Sequence, residues 1–246
     1  MAEAILVSWS GGKDSCLALY EMQQAKRYQV AALLTTLTRD YDRVSMHGVR
    51  RTLLEQQAES LGLPLHPVYI SKGATNEEYE SKMKEAFSQY TSAGLNTVAF
   101  GDLFLEDIKK YREQLLAPLG MRGLFPIWKR DTARLIRTFI GLGFKAVVTC
   151  VDPRALDQSF VGKVIDDDFL RRLPPGVDPC GENGEFHSFV FDGPIFKEAV
   201  SFTLGEIVVR DSFCFCDLLP QGQPASFEGS RCKSEDALSS SHERIT

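Results

Sequence analysis

Two kinds of hydrophobic pattern alternate along the first half of the chain. Short apolar runs occur at Ala4-Ile5-Leu6-Val7, Val30 to Leu37, Leu65 to Ile70 and Thr97 to Phe100. Their length and lack of alternation fit strands buried on both faces. Between them, apolar residues recur at three- and four-residue steps. One such run is Cys16-Leu17-Ala18-Leu19-Tyr20; others hold Val49, Leu53, Leu54, Ala58 and Leu61, then Tyr79, Met83, Phe87 and Tyr90, then Ile108, Tyr111, Leu115 and Leu116. That spacing predicts amphipathic helices. Gly62 and Pro64 stop the second helix, and Thr75-x-x-Glu78 has the form of a capping box for the third. Leu124-Phe125-Pro126-Ile127-Trp128 reads as a short fifth strand. Strands alternating with helices predict an α/β fold with a doubly wound parallel sheet. Ligands of such sheets bind at the carboxyl ends of the strands, where the 10–15, 37–47 and 101–102 segments fall.

The pattern changes beyond Trp128. A helix carrying Leu135, Ile136, Phe139 and Ile140 leads into a strong strand, Ala146 to Val151, ending at Asp152-Pro153-Arg154. Asp166-Asp167-Asp168 opens a short helix, and Pro174-Pro175-Gly176 ends it. Acids at a helix start favour a solvated cap over a metal site. After Cys180-Gly181-Glu182-Asn183-Gly184-Glu185-Phe186-His187-Ser188, alternating positions predict strands through about Cys216. The expected division is an α/β domain over 1–128 and a smaller α+β domain over 129–219, with a boundary after Asp152 as the alternative. From 220 to 246, Ser, Gln, Gly and mixed charges without periodicity predict a disordered tail.

Composition narrows the classes. The chain has 246 residues, 43% hydrophobic and 25% charged, enough for a sizeable soluble core. A net charge of −5 argues against a nucleic-acid surface spread over the molecule. No apolar run approaches the ~20 residues of a membrane helix, and no signal-peptide pattern opens the chain. Cys16, Cys150, Cys180, Cys214, Cys216 and Cys232 show no paired C-x-x-C spacing. Reduced thiols in a cytoplasmic protein are expected, with Cys214 and Cys216 at buried strand positions.

Ser10-Gly11-Gly12-Lys13-Asp14-Ser15 carries the clearest chemistry. Between a strand and a helix, two glycines let backbone N–H groups face an anion at the helix N-terminus. Lys13 adds a point charge, and Ser10 and Ser15 add hydroxyl donors. Asp14 either caps the helix or helps bind Mg²⁺. The spacing is neither Walker A nor G-x-G-x-x-G. The second dense motif, Gly181 to Phe186, places Glu182 and Glu185 between glycines before a strand. It suits a cation, amine or ammonium, or is an exposed acidic turn. His47 stacks on adenine, orients a phosphate, or is simply exposed. Asp102 and Asp152 end strands and either meet Mg²⁺ or a ribose, or cap helices; Trp128 is a substrate wall or domain packing.

The 10–15 segment resembles S-G-G-x-D-S, the pyrophosphate-binding loop of the N-type ATP pyrophosphatases, which cleave ATP between its α and β phosphates. Three segments taken together resemble the diphthine–ammonia ligase family: this loop, Gly101-Asp102 with Phe125-Pro126-Ile127-Trp128, and Gly181 to Phe186 with Phe189-x-x-Asp192-Gly193-Pro194. The likeness covers roughly residues 4 to 217. It implies a HUP-type (Rossmann-like) nucleotide-binding domain joined to a smaller domain across a deep groove. It also implies a carbon–nitrogen ligase using ATP and Mg²⁺. The diphthine carboxylate of elongation factor 2 would be adenylylated, and ammonia or another nitrogen donor would displace AMP. ATP is then expected on Ser10, Gly11, Gly12, Lys13, Asp14, Ser15, His47, Gly101 and Asp102, with Asp14 as metal ligand. Lys13, Asp14, Glu182 and Glu185 are the expected catalytic residues. The chain departs from eukaryotic and archaeal members at Asn183, where they tend to have Gly, and at His187 and Ser188, where they tend to have an acid and Thr. The 42–51 segment also differs. These departures bear on the acceptor more than on the nucleotide chemistry. Another small-molecule or tRNA acceptor, or an ATP-binding protein without catalysis, are the alternatives.

Overall fold

Apolar residues on both sides of successive strands require cover on both faces of a sheet, and the fold supplies it. A computed structural model describes residues 2–45 and 47–221, so all but two residues of the expected 220–246 tail lie outside the described residues. The first sheet contains β1 (Glu3–Ser8), β2 (Tyr28–Thr38), β3 (Arg43–Val44), β4 (Leu65–Ile70), β5 (Thr97–Ala99) and β6 (Arg122–Leu124). Five of these run parallel in the order β4-β2-β1-β5-β6. Four helices connect them: α1 (Lys13–Gln24), α2 (Arg51–Leu61), α3 (Asn76–Ser92) and α4 (Glu106–Leu116). Period-two alternation divides the strands between two cores. Ile5, Val7, Leu33 and Leu37 pack with Leu17 and Leu19 of α1 and Leu53 and Leu54 of α2. Leu6, Ala32 and Leu34 pack with Met83 and Phe87 of α3 and Leu115 and Leu116 of α4. The sheet is doubly wound.

The second sheet is antiparallel, with β7 (Lys145–Val151), β8 (Phe186–Asp192), β9 (Phe202–Arg210) and β10 (Phe213–Pro220) in the order β8-β7-β10-β9. Before and within it lie α5 (Thr132–Gly141) and α6 (Asp167–Arg172). Val147, Val148, Phe186, Phe189 and Leu218 join the same core as α1 and α2, so apolar packing is continuous from one sheet to the other. Cys214 and Cys216 are buried on β10, and the five cysteines among the described residues are free thiols. Among the described residues, no helix is long and apolar enough to cross a membrane.

Two local differences from the sequence pattern have physical causes. The expected strand at 124–128 lies earlier, at Arg122–Leu124; Pro126 has no N–H to donate, and a turn closes from Trp128 N to Phe125 O at 3.1 Å. β3 forms within an expected loop. At Leu37 and Thr38, β4 holds one edge of β2, while β1 has already ended opposite Leu34, leaving the other edge for β3. The turn after β3 is thereby carried over the carboxyl end of β1.

Candidate active site

Beyond β1 the chain turns sharply into α1. Gly11 adopts φ +75°, a left-handed conformation suited to glycine, and a Cβ there would stand 2.6 Å from side-chain atoms of Gln57 and Leu54. The fully buried Gln57 of α2 fastens this turn. Its Nε2 donates to Gly11 O (3.0 Å) and Val190 O (2.6 Å), and its Oε1 accepts from Trp9 Nε1 (3.1 Å). Val190 N of β8 donates to Gly11 O at 2.9 Å. The Lys13 N–H donates to Ser188 Oγ at 3.2 Å. Within the loop, Ser15 Oγ donates to Gly12 O (2.9 Å) and lies 3.2 Å from Ser10 Oγ. The loop is built jointly by the first sheet, α2 and the second sheet.

The Lys13 ammonium is only 3% exposed and meets Asp14 Oδ2 at 2.8 Å. Burial pulls the ammonium's pKa down, but Asp14 more than offsets that and holds it above its ordinary value. Burial raises the Asp14 carboxyl against the opposing pull of Lys13. Its other oxygen, Oδ1, is buried with no hydrogen-bond partner among the described residues. Gly101, just past β5, stands against this first turn, and a Cβ there would be 2.8 Å from the Asp14 carbonyl carbon. Asp102 has Arg112 as a charged neighbour: its Oδ2 lies 3.5 Å from Arg112 Nε, neither atom has a hydrogen-bond partner among the described residues, and that guanidinium sits 5.0 Å from the Phe100 ring centroid. Asp102 caps no helix, since α4 has Leu105 at that position. Asp152 pairs with Arg154 across an exposed turn.

The second motif is not an exposed turn: Cys180, Gly181, Glu185 and Phe186 are buried. Its two carboxylates differ. Glu182 reaches the connection after β5, where its Oε1 accepts from Leu103 N at 2.9 Å. Burial, with the nearby negative charge of Asp14, pushes its pKa up to about 7. Glu185 is absorbed by its own loop. Its Oε1 accepts from Asp178 N and Asn183 Nδ2, and its Oε2 from Asn183 N, each at 3.0 Å. It shapes the loop that presents Glu182, with three acceptor positions of its carboxylate taken by that loop.

His47 is brought to the loop by the turn after β3. Its ring lies 4.5 Å from that of His187, at 35°. Its Cε1 stands 3.2 Å from where a Gly12 Cβ would be. Two arginines flank the turn and share one acid on β10: Arg43 Nη1 meets Asp217 Oδ1 at 2.8 Å, and Arg50 Nη2 meets Asp217 Oδ2 at 2.6 Å.

Two family models match the chain, a diphthamide synthase N-terminal domain over residues 3–123 and a diphthamide synthase C-terminal domain over 131–219. The chain belongs to the diphthamide synthase family. Among similar proteins, a human diphthine–ammonia ligase is 27% identical over 234 residues, covering 84% of this chain and 85% of its own length. A zebrafish (Danio rerio) protein of that name is 27% identical over 231 residues, covering 84% and 89%. One from Schizosaccharomyces pombe is 25% identical over 263 residues, covering 96% of this chain but 43% of its own length. The chain therefore spans less than half of the fission yeast relative.

In this member of the family, the 10–15 loop, Gly101, Glu182 and His47 converge; Asp102 stands near enough to Glu182 to raise its pKa, whereas Glu185 is held by its own loop. Gln57, His187, Ser188, Arg43, Arg50 and Asp217 belong to the site's construction, and local sequence did not single them out as site residues. Gln57 occupies an ordinary polar helix position, and Ser188 an ordinary strand position. Asp14 Oδ1 and Asp102 Oδ2 are both buried without a hydrogen-bond partner among the described residues; Asp102 Oδ2 has the Arg112 guanidinium as a charged neighbour, so Asp14, in the loop itself, is the better fit for Mg²⁺. Mg²⁺ sites commonly need only one or two carboxylates beside substrate phosphates and water. That suits a chain with no cluster of three or more metal-ligand side chains among the described residues.

Proposed function

We propose that this protein is an ATP-dependent, AMP-forming ligase that adenylylates a substrate carboxylate and transfers ammonia to it. The acceptor class is diphthine, as the names of its relatives suggest, carried on elongation factor 2 as the family resemblance implies. The observation that carries the reading is the facing pair of acids. Asp14 offers an unpartnered oxygen beside a buried ammonium, and Glu182, held by Leu103 N, stands near enough for Asp14 to raise its pKa.

A free carboxylate does not accept ammonia, because oxide is a poor leaving group. Attack of a carboxylate oxygen on the α phosphorus expels pyrophosphate and leaves AMP as the new leaving group. The first-turn N–H groups of α1 and the charged Lys13 suit the negative charge that builds on the departing pyrophosphate. Asp14 Oδ1 would hold Mg²⁺, which supplies charge neutralisation of the polyphosphate when bound. In the second half, nitrogen attacks the acyl carbon and AMP departs. Glu182 takes the proton that nitrogen sheds, a role matched to a carboxyl titrating near neutrality. Glu185 acts as a positioning residue through Asn183 and Asp178.

The test is product analysis after incubation with ATP, Mg²⁺, ¹⁵N-ammonium and diphthine-bearing elongation factor 2. AMP, pyrophosphate and a ¹⁵N-amide are expected, with at least a hundredfold loss in Lys13→Ala. ADP and phosphate as the main products would refute the ligase class. ATP binding without AMP formation would leave a nucleotide-binding protein.

A further inference from the structure

We propose that His47 and His187 form the side-chain half of the diphosphate site, a stacked imidazole pair that binds one phosphate group of the nucleotide lying on the 10–15 loop. This rests on the ATP reading above and adds a recognition element that the loop does not contain.

Four observations converge. First, the two rings come from distant elements, the turn after β3 and strand β8, yet their centroids are 4.5 Å apart. Second, the pair stands against the loop: His47 Cε1 is 3.2 Å from the place of a Gly12 Cβ, and Ser188 O, the next residue's carbonyl, is 3.1 Å from it. A side chain at Gly12 would press on both, so glycine keeps the corner between backbone and imidazole open. Third, His47 Nδ1 is buried and unpartnered among the described residues. A buried polar atom without a partner is costly, and such atoms are commonly satisfied by a ligand or water. Fourth, the turn bearing His47 is held from both sides: Arg43 donates to Gly48 O (2.8 Å) and to Asp217, and Arg50 grips the same carboxylate. Gly48 is at φ +69°, where a Cβ would be 2.9 Å from the Phe215 ring. So firm a hold on a short turn is explained if the ring must stand at a fixed place.

The electrostatics favour an anion there. Burial keeps both imidazoles neutral, and the Lys13 ammonium acts on each in the same direction. Two imidazoles and an ammonium share one corner, and a bound phosphate would favour a proton on either ring, so that Nδ1 can carry an N–H towards a phosphate oxygen.

The experiment is calorimetric titration with inorganic pyrophosphate, ATP and AMP, each with Mg²⁺, of the wild type, His47→Gln and His187→Gln. Melting temperatures serve as fold controls. Each variant is expected to weaken pyrophosphate and ATP at least tenfold while AMP affinity changes less than twofold. In the folded wild type, the His47 imidazole ¹⁵N resonance should move on adding pyrophosphate, which keeps the test decisive if a variant fails to fold. Wild-type ATP and pyrophosphate binding with folded variants unchanged, or a static His47 resonance at saturation, would overturn the imidazole site and leave the ATP reading standing. Absence of ATP and pyrophosphate binding by the wild type would overturn both.

Discussion

Gly101→Ala gives a sharp test of how the nucleotide loop is held, because one methyl group would press on three atoms of a single peptide group. A Cβ there would stand 2.8 Å from Asp14 C, 2.9 Å from Asp14 O and 2.9 Å from Ser15 N. Ordinary contact begins near 3.4 Å, so the first turn of α1 must retreat by about 3.4 − 2.8 = 0.6 Å. No flexible side chain stands between to absorb it. Overpacking of this kind costs about 1–3 kcal/mol. For a chain of this size, each kcal/mol lowers the melting temperature by about 2–4 °C, which sets the expected drop at roughly 2–12 °C. The functional loss should be larger in proportion, since a displacement of about 1 Å at a reacting centre can cost 10²-fold. Gly141→Ala is the matched control: it ends α5, and a Cβ there meets nothing within 4 Å. Differential scanning fluorimetry and an AMP-release assay on the two variants check the claim. Gly101→Ala that melts and turns over like Gly141→Ala would refute the close-approach reasoning.

Three other expectations follow from the site. Glu182→Gln should keep ATP affinity within about twofold and lose acceptor-dependent AMP release. In the wild type, nitrogen transfer should fall about tenfold per pH unit below pH 7, because the base form of a carboxyl with pKa about 7 is lost there. The same raised pKa means that ionisation opposes folding, so Glu182→Gln should melt above the wild type at pH 8 and not at pH 5. Glu185→Gln replaces an acceptor of two backbone N–H groups with a partial donor; a loss of about 1–3 kcal/mol is expected in urea unfolding, with unchanged stability as the contrary result. Burial alone would raise the Asp217 carboxyl, but Arg50 and Arg43 bring it down to about 2. Its stabilising effect is therefore complete above the unfolded value of about 3.9 and fades as pH falls towards 2, a decline that Asp217→Asn should lack in melting curves.

Much of this fold was legible because strands covered by helices on both faces read as nearly continuous apolar runs. Helix ends were legible where local chemistry fixes them. Thr75 Oγ1 accepts from Glu78 N at 3.2 Å, and Gly62 takes φ +68° at the end of α2. β3 was not legible, because it exists only where β1 stops short of β2. Nor did apolarity announce burial on β9, where Leu204, Ile207 and Val209 are more than half exposed. In the site, the 10–15 loop could be read because its chemistry is contiguous. Glu182 and Glu185 could not be told apart, since spacing says nothing about which carboxylate meets Leu103 N and which meets its own loop. The roles of Gln57 and Ser188 arise only from contacts with Gly11 and Lys13 across the fold.

The bond from Val190 N to Gly11 O has a consequence for the order of events during synthesis. The loop, which is synthesised before the second sheet, has its shape completed by β8, and the turn bearing His47 is anchored by Asp217 on the last strand described. A nascent chain that has exposed only its first sheet holds an unfinished cradle, with Gln57 lacking one of its acceptors. The hydrogen-bonded shape of the loop is therefore complete only once translation has passed the second sheet. Truncated products released before that point would carry the loop sequence without the site.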